Sequence, residues 1–324
     1  MEEIMNWSRV TSLDAWKGMA LEAAWKFPRH RANGDFSPSW PLNTRDLENV
    51  SIAWPAKYEW EVISKWVNPL QRGFSRYVHV EAAEIPQIYK KGIVLIEMRI
   101  HGKKHSVAID CSDYPDINED CARNCLVYFK MQFSCDGYGI TNVIPGGFIP
   151  FNDDIYTYLP HVRALADKKA YRYDVYGRFG LEFAQDIRRK ACSILASQND
   201  FQWEGSLQLK RYCVSLSEVA QSRICIDLPG NGDFCFRLID YMAVGTCVIA
   251  VRHHTQLHVP LVDGMQIVYV KDDLSNLIDL CKFYLEQDEA REAVCRNART
   301  HFDKYLHREQ LAAYYLDASL KLAQ

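Results

Sequence analysis

The residues best suited to chemistry crowd into one stretch, Arg223 to Val251, RICIDLPGNGDFCFRLIDYMAVGTCVIAV. Gly230 and Gly232 flank Asn231 directly after an apolar run and directly before a helical pattern. A glycine turn that opens a helix presents free backbone N–H groups and the positive end of the helix dipole, and both attract an anion. Arg237 falls in the first turn of that helix and Asp240 one turn later, on the same face. A guanidinium grips a diphosphate through paired donors, and a carboxylate accepts from the paired hydroxyls of a ribose. The plainer alternative for these two residues is an i, i+3 surface ion pair.

Other phosphate binders fit this stretch less well. A dinucleotide fingerprint needs a third glycine and an acid about 20 residues further on. Here Cys235 stands at the third glycine position and the next strand runs into Val251-Arg252-His253-His254. A P-loop needs Gly-Lys-Ser/Thr at the helix start, and this chain has Gly232-Asp233-Phe234.

The elements that must position these residues fall into two series. In the first, the runs RYVHVEA, GIVLIEM, HSVAID, CLVYFKMQ and NVIPGG read as strands, with a short helix near Asn118 to Arg123. In the second, strands are expected at Tyr171 to Tyr176, Ile224 to Leu228, Thr246 to Val251 and Ile267 to Val270. Helices are expected after the first of these, through Phe183, Ile187, Ala191 and Leu195, and at Phe236 to Val244 and Asp273 to Glu286. Strands alternating with helices of this length imply parallel sheets covered on both faces. The Pro- and Gly-rich VIPGGFIPF places a boundary near Pro150. A last helix with Leu311, Tyr314, Tyr315, Ala318 and Leu322 on one face needs a surface to pack on. Near the start, a helix is expected from Leu13 to Trp25. The tryptophans at 7, 16, 25, 40, 54, 60 and 66 read as core, with an acceptor-binding wall as the alternative.

Composition agrees with a folded two-domain protein. The chain has 324 residues, 48% hydrophobic and 24% charged, with a formal net charge of -3. That balance offers no diffuse nucleic-acid affinity. The start of the chain lacks a basic segment followed by an apolar run, and nothing approaches the roughly 18 apolar residues of a membrane span, so a cytoplasmic protein is expected. Without a secretory signal the sequons at Asn6 and Asn49 carry no meaning. The eleven cysteines form no C-x-x-C pair, which suits reduced thiols. Cys111, Cys121, Cys125 and Cys135 cluster without zinc-site spacing, so no metal is expected.

With these residues in view, the chain from about Asp174 to Leu306 resembles the donor domain of GT-B glycosyltransferases. The family's R-x-x-E-A-x-A-x-G-x-x-V-I-A pattern stands here as Arg237-Leu238-Ile239-Asp240-Tyr241-Met242-Ala243-Val244-Gly245-Thr246-Cys247-Val248-Ile249-Ala250. The tail VDGMQIVYVKDDLSNLIDLCKFYLEQDEAREAVCRNARTHFDKYL continues the likeness, and upstream VIPGGF and VYGRFG look like the interdomain segment and the first donor strand.

The resemblance implies an α/β fold of the GT-B type, two Rossmann-like domains facing a cleft. Residues 1–150 would form the acceptor side and 151–306 the nucleotide-sugar side, with 307–324 crossing back toward the first domain. It implies that Gly177 and Arg178 lie near the donor phosphates, that Arg237 faces the diphosphate, and that Asp240 occupies the ribose-binding place, with Gly230, Asn231 and Gly232 forming the turn. The Lys-Gly that often follows the Gly-Arg turn is missing, and Arg188, Arg189 and Lys190 are the nearest basic substitutes. Where retaining members carry a Glu, eight positions before the ribose acid, this chain has Gly232, with Asp233 one residue late. An inverting course is therefore at least as well supported as a retaining one. No Asp-x-Asp triplet is present, which favours a metal-independent mechanism with no cofactor beyond the nucleoside-diphosphate sugar.

An inverting transfer needs a general base at the acceptor hydroxyl or amine. HSVAIDCSDYPD puts Asp110 and Asp113 at the carboxyl end of a strand, where open α/β sheets bind ligands. LIEMRIHGKKH offers Glu97 and His101 at the end of the preceding strand. Each has a structural alternative: an Asp at a strand end caps a turn, and His101 beside Gly102 suits a hairpin tip. Two classes of function stay open, a glycosyltransferase acting on a small-molecule or glycan acceptor, and a GT-B-like nucleotide- or partner-binding protein without turnover.

Overall fold

The computed structural model describes residues 13–26, 38–89, 92–180, 182–206 and 210–324. Trp7 and the Asn6 sequon lie outside them. Two sheets organise the chain. The first has six strands: β1 (Val50–Pro55), β2 (His79–Ala83), β3 (Ile93–Ile100), β4 (Lys103–Asp110), β5 (Val127–Lys130) and β6 (Val143–Pro145), in the order β2-β1-β3-β4-β5-β6. All but β3 run the same way; β3 is antiparallel to both β1 and β4. This departs from a purely parallel layer. Lys103 follows His101-Gly102 directly, too short a link for a crossover, so β4 must fold back on β3.

The second sheet is parallel throughout. Its strands are β7 (Tyr173–Arg178), β8 (Trp203–Ser206), β9 (Ser222–Asp227), β10 (Cys247–Val251) and β11 (Val268–Val270), in the order β11-β10-β9-β7-β8. The chain moves outward one way from β7 to β8 and the other way from β9 to β11. The switch point therefore falls between β7 and β9, and a crevice opens beyond their carboxyl ends. The middle strands are buried on both faces, hence runs such as Cys247-Val248-Ile249-Ala250 without alternation.

Helices cover both sheets: α1 (Leu13–Lys26), α2 (Thr44–Leu47), α3 (Ser64–Phe74), α4 (Glu119–Asn124), α5 (Ile155–Ala166), α6 (Gln185–Ser197), α7 (Tyr212–Ala220), α8 (Phe236–Val244), α9 (Leu277–Glu286), α10 (Asp288–His301) and α11 (Arg308–Leu322). The two ends of the described chain cross over. α11 packs on α3 and lays Tyr315 over Phe129 of β5, ring centroids 3.6 Å apart. Gly73 permits this approach, since a Cβ there would sit 2.3 Å from the Arg308 carbonyl oxygen. In the opposite sense α1 packs on α5 and α7, with Trp25 against Tyr158 at 5.4 Å and Glu22 paired to Arg211. Residues 13–26 thus lie on the second half, although the sequence assigns them to the first; Trp25 finds the helices of that half, while Trp16 stays exposed.

The carboxyl ends of the sheets face each other and touch. The loop after β5 pairs with the loop after β10: Cys135 N donates to His254 O at 2.9 Å and Gln256 N to Phe133 O at 2.8 Å. Buried Gln132 donates to Phe234 O at 2.9 Å and accepts from Phe234 N at 3.2 Å.

Candidate active site at the switch point

The switch-point crevice is built around two arginines and one carboxylate. Asp227, the last residue of β9, is buried; burial raises its pKa against the pull of Arg237 and Arg188. Arg237, in the first turn of α8, donates from Nε to Asp227 Oδ1 at 3.0 Å and from Nη2 to Leu228 O at 2.7 Å. Its guanidinium lies over the Phe179 ring, 4.9 Å from the centroid. Arg188 of α6 is buried too, yet no carboxylate pairs with it among the described residues. It spans the crevice by donating to Pro229 O from Nε at 3.0 Å and Nη2 at 2.7 Å, and to Gly180 O. Burial and the neighbouring Arg237 hold its pKa below the usual guanidinium range. One buried and one half-buried cation thus stand beside one buried anion, an arrangement that favours a further negative charge.

Beside the arginines, a cleft of about 270 Å³ runs along the carboxyl ends of β9 and β10, lined in part by Ile187, Asp227, Pro229, His253 and Asp272. Burial pushes the His253 imidazole down to about 3, so the ring is neutral. Its Nδ1 meets Tyr269 Oη at 3.0 Å, and Phe234 packs on it at 4.6 Å.

The glycine turn faces the other half of the molecule. A Cβ on Gly232 would sit 2.3 Å from Asp113 O and 2.4 Å from Gln132 Nε2. The glycine at this place is a requirement of interdomain approach, and a Glu could not occupy it here. Asn231 Nδ2 donates to Asp113 Oδ2 at 3.3 Å. Gly230 sits closer to the cations, where a Cβ would be 3.6 Å from Arg188 Nη2. Of the four acceptor-side residues, Asp113 alone is brought to this turn.

The remaining expected residues are placed differently. Asp110 is buried, accepting from Tyr128 Oη at 2.5 Å, Lys130 Nζ at 3.1 Å and Ser112 N at 2.8 Å, so it holds the loop that carries Asp113. Glu97 and His101 lie toward the opposite end of the sheet because the β3–β4 hairpin reverses direction: Glu97 registers with Ser106 and pairs with Lys104 at 2.6 Å. His101 occupies the hairpin tip at φ 49°, exposed. Arg178 is buried against carboxylates, donating to Glu218 Oε2 at 3.1 Å and to Glu204, so its charge is already matched. Gly177 makes room for aromatic rings, a Cβ there meeting Phe179 at 2.7 Å. Lys190 points to solvent, one helical step away from the buried 188, 191 and 195 face. Asp240 is buried and turned toward the interdomain linker, accepting from Tyr212 Oη at 2.9 Å and Phe151 N at 3.1 Å; burial pushes its pKa up to about 7.

Arg188 and Gln132 are the residues that sequence reasoning undervalued. Helical periodicity marks Arg188, since it shares its face with Ala191 and Leu195, both fully buried. No local signal marks Gln132, because its partners lie 102 positions away.

Two α/β halves thus face each other at the carboxyl ends of their sheets, and α11 returns to pack on α3 of the first. Residues 161–317 match the family model described as Glycosyl transferase-like. Among solved structures, a glycosyltransferase from Rickettsia africae ESF-5 is similar at 17% identity and TM-score 0.33, over 50% of this chain and 43% of that one. A protein from Listeria monocytogenes put forward as a UDP-N-acetylglucosamine 2-epimerase is similar at 12% identity and TM-score 0.34, over 63% of this chain and 61% of that one. The similarity thus spans less than two thirds of either protein. No curated protein matches the chain at a significant level. No helix among the described residues is long and apolar enough to cross a membrane.

Proposed function

We propose that this protein transfers a sugar from a nucleoside-diphosphate sugar to an acceptor hydroxyl or amine, with the donor held at the switch point of the second sheet. The observation that carries this reading is the pair Arg188 and Arg237 beside Asp227, whose carboxylate bonds Arg237 while Arg188 has only carbonyl partners among the described residues. A bound diphosphate supplies the missing negative charge, and the same cations stabilise it as it leaves, without a metal. The cleft along β9 and β10 takes the nucleoside. The first half is the acceptor side, residues 151–306 the donor side, and α11 the strap between them.

Asp113 is the group best placed to serve as base. In an inverting displacement it takes the proton of the acceptor hydroxyl as that oxygen attacks the anomeric carbon, and the bond to the diphosphate oxygen breaks on the far side. Gly232, where a carboxylate would be needed for the alternative course, is consistent with inversion.

Thermal shift with a panel of UDP-, GDP-, dTDP- and ADP-sugars tests the donor site, because a ligand bound only to the native state raises apparent stability. One nucleotide class should raise Tm, and Arg188→Ala should weaken its binding roughly tenfold or more, the value of about 1.5–3 kcal/mol for a hydrogen bond to a charged group. Unchanged affinity in both Arg188→Ala and Arg237→Ala would refute the assignment. Asp113→Asn should lower turnover while leaving donor affinity largely intact.

A further inference from the structure

The cleft beside the arginines carries three carboxylates, Asp227, Asp233 and Asp272. Two of them are already committed. Asp227 accepts from Arg237 Nε at 3.0 Å, and Asp233 Oδ2 accepts from His254 N and Thr255 Oγ1 in the loop after β10. Asp272 is exposed, and among the described residues no hydrogen bond or ion pair engages its carboxylate. The neighbouring Arg252 does not take it up: its guanidinium lies over the Tyr269 ring, 5.0 Å from the centroid, and pairs with Asp263 at 3.9 Å.

Strand order fixes where Asp272 stands. β10 lies between β9 and β11, and the pairing of Val251 with Val270 sets Asp272 two residues beyond the last rung of that ladder. Asp227 is the last residue of β9. The two carboxylates therefore mark opposite sides of the cleft, on strands two spacings or about 10 Å apart. Ile187, Pro229 and Val251, all half-buried, give the cleft apolar walls.

An ionised carboxylate only accepts hydrogen bonds, so it sorts bases by the donors on their edges. Guanine presents N1–H and the N2 amino group side by side, two donors that meet the two oxygens of one carboxylate. Uracil and thymine present a single N–H between two carbonyls, and each carbonyl sets oxygen against oxygen. Adenine and cytosine present one amino group beside a bare ring nitrogen, whose lone pair faces the second carboxylate oxygen. A site built for paired donors rejects bases that lack them, because its polar groups are then left unmatched.

We propose that Asp272 reads the base and that the donor is a guanosine-diphosphate sugar, an assignment that rests on the diphosphate seat at Arg188 and Arg237. With the diphosphate beside Asp227, the ribose spans the end of β10, the ring packs between the apolar walls, and its donor edge arrives at Asp272. Asp272 is then a specificity-determining residue, remote from the bond that breaks.

Isothermal titration calorimetry of the full chain with GDP, IDP, UDP and ADP tests the assignment, IDP being GDP without the N2 amino group. GDP should bind roughly tenfold or more tighter than the other three, the value of a lost hydrogen bond to a charged group. Asp272→Ala should weaken GDP by a similar factor, close the gap between GDP and IDP, and leave UDP unchanged. Because Asp272 is exposed, the ligand-free Tm of the variant should match that of the wild type. Wild-type protein that binds IDP or UDP as tightly as GDP overturns the guanine assignment, while an Arg188-dependent diphosphate site still stands. A preference for GDP that survives Asp272→Ala overturns the role of Asp272. An equal loss for all four nucleotides in Asp272→Ala puts the carboxylate on the ribose instead, and overturns the base reading as well. If none of the four binds, the donor site falls and this assignment falls with it.

Discussion

Four histidines are held neutral in the fold, and acid should unfold this protein for that reason. Burial pushes His301 down to about 4 and His253, His258 and His307 down to about 3, with Arg308 and Arg163 adding to the effect on His307. His301 Nε2 has no hydrogen-bond partner among the described residues. The unfolded chain takes up a proton on each ring near pH 6.5, while the folded chain does not until its lowered value is reached. Unfolding therefore binds protons throughout that window, and stability falls as pH falls below about 6.5. Between pH 7.5 and 5.5 each ring costs about 1.4 kcal/mol, about 5.5 for the four, and this figure hardly depends on how far below 5 the folded values lie. Asp240 acts in the opposite direction. Its folded value of about 7 means that the native state binds the extra proton, which returns about 2 kcal/mol over the same interval. A net loss of about 3.5 kcal/mol is expected. Urea unfolding at the two pH values measures it, with Asp240→Asn enlarging the loss and His301→Asn shrinking it by about 1.4 kcal/mol. Equal stability at pH 7.5 and 5.5, or a loss that His301→Asn leaves unchanged, would refute the reasoning.

Arg178→Ala should cost about 3 kcal/mol of stability, the low end for stranding a buried carboxylate, since Lys210 and Tyr176 still hold Glu218. Chemical denaturation reads it, and a loss under about 1 kcal/mol would mean that the guanidinium is not the partner that matters. Lys190→Ala should change stability by less than about 0.5 kcal/mol and leave nucleotide affinity untouched, in contrast to Arg188→Ala. Gly232→Ala should push Asp113 and Gln132 off the turn at a cost of about 1–3 kcal/mol, visible as faster limited proteolysis in the 111–118 loop.

The second sheet was the more legible half because its signals are local. Phe236–Val244 has a glycine at its C-terminal end, Gly245 at φ 90°, and its boundaries match the expected helix residue for residue. Asn118 likewise caps α4 where the short helix is expected. Other elements leave weaker traces. β8 places Gly205 at its centre, under the Trp203 ring, and α3 carries Pro69 within it, so neither shows an unbroken pattern. For the site, residue type and helix position identified Arg237, but not which face its neighbours would take. Asp240 lies one turn from Arg237 and yet faces the linker, because Tyr212 and the Phe151 amide reach it from elements far along the chain. The antiparallel turn at His101 moved Glu97 away from Asp113 for an equally non-local reason.

Gln132 ties these placements into one constraint on how a donor enters. Its side chain occupies the Phe234 amide and carbonyl just before α8, and Gly232 leaves no gap between the turn and Asp113. An anion that seats against the amino end of α8 must therefore compete with the first half of the molecule for the same backbone donors. Arg188 and Arg237 do not face that competition, since their partners are Asp227 and carbonyls of the second half alone. The arginines can hold a diphosphate with the halves in contact, whereas the glycine turn can join them only if Gln132 withdraws. Replacing Gln132 by Ala removes the competitor, and donor affinity should rise if the α8 amides take part in binding. If affinity is unchanged while Arg188→Ala still weakens it, the arginines alone recognise the anion, and the glycine turn serves only the contact between the halves.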